Sequence, residues 1–403
     1  DGRTMRNTQR AVRSVLAGMC LVATLALAAC GTTGSNGGDE SHAGVTPTTN
    51  AQSTPTSGNG GNGANNGGAS GNNGGSSNQT PLSQLTAYVG GQDNMFYGFS
   101  ADTGAQRWHY TVAGTPNKPF AAPNMVFVST QGGYVYAFSK SGSLLWSKSV
   151  SGSTLSRATM DSGLVYVGTD QGRVFALNST TGDPVWHYDT SNQITGTIAV
   201  ANNVAYTSSG GSLFALNAAN GSQVWKVSIG SISEFTSPSV NNDVVYIGND
   251  SGVLSARRTS NGSEVWHFQA GSQISGRPAV ANGVIYFGAS DHYLYAVNTS
   301  NGSLKWKYQT GDSVNESPTV SNGVVYSASA DGSLYALDAN TGKVKWRFGV
   351  TNYAVTGGWT SVTNGRVYLG MSDGRFYALD ANTGHVIWKT QTSGPVTSPA
   401  IGQ

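Results

Sequence analysis

Only two cysteines occur in the 403-residue chain, Cys20 and Cys30, and both lie ahead of residue 31. The rest has no thiol for a disulfide, a zinc-thiolate site or thiol catalysis. His109, His187 and His267 each follow a tryptophan at one position of a repeated segment. That places them in separate copies, too dispersed to share a metal, and an edge-strand role is expected. Sequences such as Ser372-Asp373-Gly374 are turns without calcium-ligand spacing. No nucleophile and base pair, phosphate loop or paired acidic motif stands out, so no catalytic residue and no metal site is assigned. What does stand out is one position of a short repeated run, before its proline, where the copies read Phe120, Arg157, Thr197, Ser237, Arg277, Ser317, Trp359 and Ser398. The charged and aromatic departures Arg157, Arg277 and Trp359, with Glu316 and Glu234 near by, suit an anionic or aromatic ligand if the fold gathers them.

The elements that would position them repeat through the chain. Ala336-Leu337-Asp338-Ala339-Asn340-Thr341-Gly342-Lys343-Val344-Lys345-Trp346 recurs almost letter for letter at Ala378 to Trp388, and more loosely in six earlier copies. The closing tryptophans are Trp108, Trp146, Trp186, Trp225, Trp266, Trp306, Trp346 and Trp388, in steps of 38, 40, 39, 41, 40, 40 and 42 residues. A period near forty with strand-like content indicates radial repetition, in which each unit needs neighbours to cover its apolar faces.

Each copy reads as four antiparallel strands. In the seventh, Val324-Val325-Tyr326, Ser333 to Leu337 and Val344 to Phe348 are three β-rich runs, and Glu316 to Val320 is a fourth. Gly342 supplies the positive φ of a tight turn, and Asp338 and Asn340 can bond their own backbone there. The run Leu334 to Leu337 is apolar on both faces, which predicts cover on both sides. Lysines and arginines beside the tryptophans predict an outer edge strand guarded by cations. The first copy lacks a preceding fourth run, while Pro395 to Ile401 is such a run with nothing after it. Pairing the two closes an all-β, eight-bladed β-propeller; seven blades and a spare is the alternative.

Upstream, residues 1–4 precede Met5, the expected start. Arg6, Arg10 and Arg13, then an apolar run from Val15 to Ala29, have the form of a secretory signal. Leu27-Ala28-Ala29-Cys30 resembles the bacterial lipobox, which predicts lipidation of Cys30 and a membrane-anchored, exported protein. Residues 30–81 are a Gly/Asn/Ser/Thr-rich tether that cannot bury enough apolar surface to fold. The expected domains are thus 1–29 signal peptide, 30–81 tether and 82–403 propeller. The chain carries +2 overall. Without residues 1–29, which hold four arginines and Asp1, it is nearly neutral, which argues against nucleic-acid binding.

The Ala-Leu-Asp-x-x-Thr-Gly-x-x-x-Trp motif resembles the repeat of pyrroloquinoline-quinone (PQQ)-type, quinoprotein-like β-propellers across residues 86–403. Tryptophan is never followed by aspartate, which disfavours WD40 repeats. The family divides into quinoprotein dehydrogenases with PQQ and calcium, and non-enzymatic scaffolds typified by the BamB lipoprotein of outer-membrane barrel assembly. The enzymes stack PQQ on a vicinal disulfide and carry long insertions; residues 82–403 have neither, so PQQ and calcium are not expected. The resemblance implies that the repeat tryptophans dock between blades, with the alanine at each motif head leaving them room. It makes the fourth run the innermost strand, so that Arg157, Arg277, Trp359, Glu316 and Glu234 converge at one channel mouth; the plainer reading is solvated loop residues around a water-filled channel. The function it favours is a monomeric, non-catalytic scaffold for envelope or surface proteins. The alternative is a quinoprotein-like enzyme or a glycan or small-ligand binder using the channel mouth.

Overall fold

The computed structural model describes residues 80–233, 236–349 and 360–402. Cys30, Glu234 and Trp359, with the signal sequence and most of the tether, lie outside the described residues.

Each forty-residue repeat is one antiparallel sheet. In the seventh the chain runs Thr319–Ser321, Val324–Ser329, Ser333–Asp338 and Val344–Gly349, in that spatial order. Among the described residues there are eight such four-stranded sheets. Seven are continuous in sequence; the first takes Thr86–Gly90, Met95–Ser100 and Gln106–Thr111 from one end of the domain and Ala400–Gly402 from the other. The closing strand pairs antiparallel with the first, Tyr88 opposite Ala400 and Thr86 opposite Gly402. Eight complete blades and no spare follow.

Two-sided cover of the middle strands is what presses the blades together. Leu334 and Ala336 are buried against Val367, Leu369 and Tyr377 of the eighth blade. Their alternates, Tyr335 and Leu337, are buried against Tyr286, Leu294 and Ala296 of the sixth. Each such side chain contributes roughly 1.5–3 kcal/mol of burial, so a blade's stability resides in its two neighbours. The outer strand alternates instead: Trp346 is buried while Val344, Lys345 and Arg347 are exposed, as expected of a cation-guarded edge.

A bulge recurs where the outer strand meets the motif. Ala336 stands opposite Trp346 and Leu337 opposite Val344, so Lys345 is the extra residue. The small alanine lets the indole lie across the strand. In the first blade Gly98 holds this place opposite Trp108, and a Cβ there would stand 2.4 Å from the ring.

Candidate functional site

The inner strands of successive blades touch from the third blade round through the eighth and first to the second. The segments leading into them are stitched by short hydroxyl side chains. Ser237 Oγ accepts from Thr197 N at 2.8 Å, and Ser317 Oγ accepts from Arg277 N at 2.7 Å. Thr159 Oγ1 donates to Ile198 O and Thr319 Oγ1 to Thr360 O, both at 3.0 Å. Thr197, Ser237, Ser317 and Ser398 are consequently buried. This corrects the expectation that the whole position lines a channel: where the residue is short it seals one blade to the next, and only long side chains extend past the seam.

Strand register corrects one further expectation. Phe120 pairs with Phe127, just as Thr159 pairs with Tyr166 and Ala279 with Tyr286. Phe120 is therefore two residues past the position held by Arg157 and Arg277. Its true equivalent in the second blade is Lys118, which stands directly before Pro119 as Arg277 stands before Pro278, whereas Phe120 follows that proline. Counting nine residues back from each first-strand aromatic would have found it.

Three blades, the second, third and sixth, thus send a cation from the same level of the ring, and the seventh adds Glu316 one residue earlier. Lys118, Arg157, Arg277 and Glu316 keep only part of their surface accessible. Arg157 and Arg277 are three blades apart on the shorter arc, with the fourth and fifth between them, yet the field of Arg277 reaches Arg157. Burial lowers the Arg157 guanidinium to about 9, with repulsion from Arg277 adding to the shift. Burial lowers Arg277 to about 10. Burial also drives the Lys118 ammonium well below the usual lysine value; Arg157 and Arg277 push it further down and Glu316 opposes them. Glu316 is raised by burial and pulled back by Lys118. Both arginines remain charged at neutral pH, and Arg157 lies over the Phe120 ring at 5.3 Å. Lys118, Arg157 and Arg277 thus hold the same register position of the second, third and sixth blades, and Glu316 lies one residue before it in the seventh.

The repeat histidines are not part of this group. His109, His187 and His267 are exposed on outer strands, where Gln106 Nε2 lies 3.0 Å from His109 Nδ1 and Glu264 Oε1 lies 2.7 Å from His267 Nδ1. Among the described residues, no three His, Cys, Asp or Glu side chains gather as a metal site.

A family model described as outer membrane protein assembly factor BamB matches residues 59–266 and 259–402, which together take in the whole ring. The chain belongs to the BamB family of PQQ-repeat propellers. Curated BamB relatives include those of Nitrosomonas eutropha, 33% identical over 102 residues, and Moranella endobia, 31% identical over 124 residues. The match takes in 25% of this chain and of the first relative, and 27% of this chain and 32% of the second. The chain thus spans between a quarter and a third of the length of these relatives. The crystal structure of BamB from Moraxella catarrhalis shares the fold, with a TM-score of 0.63 at 19% identity over 70% of this chain and 89% of that one. So does the quinohemoprotein alcohol dehydrogenase of Comamonas testosteroni, with a TM-score of 0.62 at 16% identity over 70% of this chain and 68% of that one. Identities this low carry the architecture alone, so the BamB assignment rests on the family model and the curated relatives.

Proposed function

We propose that the protein is an exported lipoprotein, anchored through Cys30, whose propeller is a non-catalytic scaffold for envelope proteins, as in outer-membrane protein assembly. The observation that carries this reading is membership of the BamB family across the whole ring. The lipobox-like Leu27 to Cys30 and the Gly/Asn-rich tether support it, since together they would hold a rigid ring away from a membrane surface.

A quinoprotein activity is the second reading, favoured by the likeness to the dehydrogenase propeller. The donor set does not fit it. Calcium takes six to eight oxygen ligands, whereas the ring interior gathers Lys118, Arg157 and Arg277 against Glu316, and residues 82–403 have no cysteine to stack a quinone.

Chemical cross-linking of the full chain in native envelopes, followed by identification of its partners, tests the scaffold reading. Co-isolation with β-barrel assembly proteins, lost with Cys30→Ala as the protein leaves the membrane fraction, is expected. A host without an outer membrane would sink the barrel-assembly role. Clear thermal stabilisation by PQQ with calcium would favour the second reading.

A further inference from the structure

Charge is unevenly placed on the outer edge of the ring. The outer strands of the sixth, seventh and eighth blades, Leu304–Gln309, Val344–Gly349 and Val386–Gln391, carry Lys305, Lys307, Lys345, Arg347 and Lys389 and no carboxylate. Those of the third and fifth blades carry Asp189 and Glu264 and neither lysine nor arginine, and those of the first, second and fourth carry one such cation each. The five cations, and Lys343 in the turn before the seventh outer strand, are exposed, whereas Asp331, Asp338 and Asp380, on the middle strands and the turns before them, are half-buried. Asp338 takes Lys345 at 4.0 Å and Asp331 takes Arg347 at 3.3 Å, pairs that water and salt weaken. The other acids of these blades, Asp291, Asp312, Glu316 and Asp373, lie toward the opposite face, where the outer strands end.

The three outer strands form one surface. Lys305 Nζ donates to Asn340 Oδ1 of the seventh blade at 3.3 Å, and the Trp346 ring covers Gly384 of the eighth, where a Cβ would stand 2.7 Å from it. Leu304, Val344, Val386 and Ile387 stand exposed beside the cations. Exposed aliphatic residues recur on other outer strands, so charge is what singles out this arc. The chain preceding the ring joins it at the end of the arc and on the same face as Lys343, where Asn364 Nδ2 of the eighth blade donates to Thr80 O at 2.8 Å.

We propose that this corner of the ring, where the outer strands of the sixth to eighth blades meet the face bearing Lys343, is a docking surface for an anionic lipid bilayer. Charge complementarity and the place where the preceding chain enters both point to that occupant. Each lysine or arginine close to a negatively charged leaflet gains about fivefold in partitioning from its surface potential, and the attraction fades within a Debye length. The arc, not the whole molecule, supplies it, because the part of the chain after residue 29 is nearly neutral. The exposed aliphatic side chains add apolar area at the level where headgroups meet acyl chains. The proposal deepens the reading of a Cys30-anchored protein and rests on it, since the arc would orient a ring that the anchor has brought to the membrane.

The test is co-sedimentation of the full chain carrying Cys30→Ala, so that no lipid anchor contributes, with vesicles of phosphatidylcholine alone and of phosphatidylcholine with a one-third share of phosphatidylglycerol. Binding to the anionic vesicles should be at least tenfold tighter than to the neutral ones and should fall as salt is raised. Lys305→Gln with Lys389→Gln should weaken it at least tenfold. Lys226→Glu, on the outer strand of the fourth blade, lowers the net charge equally and should change binding less than twofold. Arg6, Arg10 and Arg13 are common to every variant, so the differences report the ring, and near-ultraviolet circular dichroism checks that these exposed substitutions leave it folded. Absence of binding, equal binding to both vesicles, or equal losses from the double variant and from Lys226→Glu would overturn the proposal. So would tighter binding of poly-glutamate than of anionic vesicles, which would assign the arc to an acidic protein segment. Membrane fractionation after a high-salt wash, which strips this contact but not a lipid anchor, reads the Cys30 anchor separately.

Discussion

The indole of Trp388, in the last blade, lies where a side chain on Gly104, in the first, would have to be: a Cβ there would stand 2.5 Å from the ring. Its Nε1 donates to Ala101 O at 3.2 Å, and Tyr368 Oη donates to the same carbonyl at 2.9 Å. The pattern recurs around the ring. Trp306 Nε1 donates to Ala339 O at 3.0 Å and its ring covers Gly342; Trp346 donates to Ala381 O at 2.9 Å and covers Gly384. The tryptophan of each blade is thus a staple into the turn of the next, and the motif glycine serves twice, as a positive-φ turn residue and as the bare surface on which the neighbour's indole rests.

Gly342→Ala should therefore cost more than a turn glycine ordinarily does. Gly342 has φ +71, and an added Cβ would come within 2.7 Å of Trp306. Backbone strain and overpacking together should remove about 2–4 kcal/mol. Gly163→Ala is the control, because Gly163 has φ +80 but nothing within 4 Å of a Cβ, so only backbone strain of about 1 kcal/mol is expected. Urea unfolding of the two variants checks the difference, and equal losses would show that the stapling contact adds nothing.

The first blade is completed by a strand from the far end of the domain, and removing that strand tests the closure. Thr397 N donates to Gly90 O at 2.7 Å, Gly90 N donates to Thr397 Oγ1 at 3.0 Å, and Arg366 pairs with Asp102 at 2.9 Å across the junction of the two blades. Deleting residues 395–403 exposes the edge of Thr86–Gly90 and uncovers Val396 and Ala400, which are buried in the intact ring. A loss of roughly 3–5 kcal/mol is expected from the burial alone. Thermal melting with limited proteolysis checks it: the first blade should be cleaved before the fourth.

Stability should follow a dome in alkaline solution, with separate causes for its two sides. Lys118 faces Arg157, Arg277 and Glu316, and its folded value is lowered well below the ordinary one. Over the window from that lowered value up to about 10.4 the unfolded chain holds a proton the native lysine has lost, so stability rises with pH. The first-strand tyrosines act oppositely. Burial pushes Tyr206, Tyr286, Tyr326 and Tyr368 up to about 12, so above about 10 the unfolded chain loses protons that the native tyrosines keep, and stability falls. Lys118→Met should flatten the rising side and leave the falling side in place. Denaturant midpoints measured from pH 7 to 11 check this, and an unchanged rising side in the variant would show that another group titrates there.

The amino-acid sequence alone determined the blade and the count of blades. Periodicity is local information: the strand runs, the Asp338 to Gly342 turn and the tryptophan spacing are each written within forty residues, and the absence of an inner run before Thr86 together with a lone one after Pro395 fixes how the ends meet. The turn is a case in point, since Asp338 Oδ1 accepts from Asn340 N at 3.1 Å and Thr341 N at 2.9 Å. The tertiary structure alone decided what gathers in the middle. Lys118 and Glu316 are 198 positions apart in the chain, and each shifts the other's titration because closing a ring turns corresponding positions of distant blades toward one axis. Lys118 was legible in the sequence, since it precedes Pro119 as Arg277 precedes Pro278, and the pairing of Phe120 with Phe127 bears out that register. The buried fate of Ser237 and Ser317 was invisible in one chain segment, because whether a side chain reaches the interior or stops at the seam depends on how closely the next blade stands.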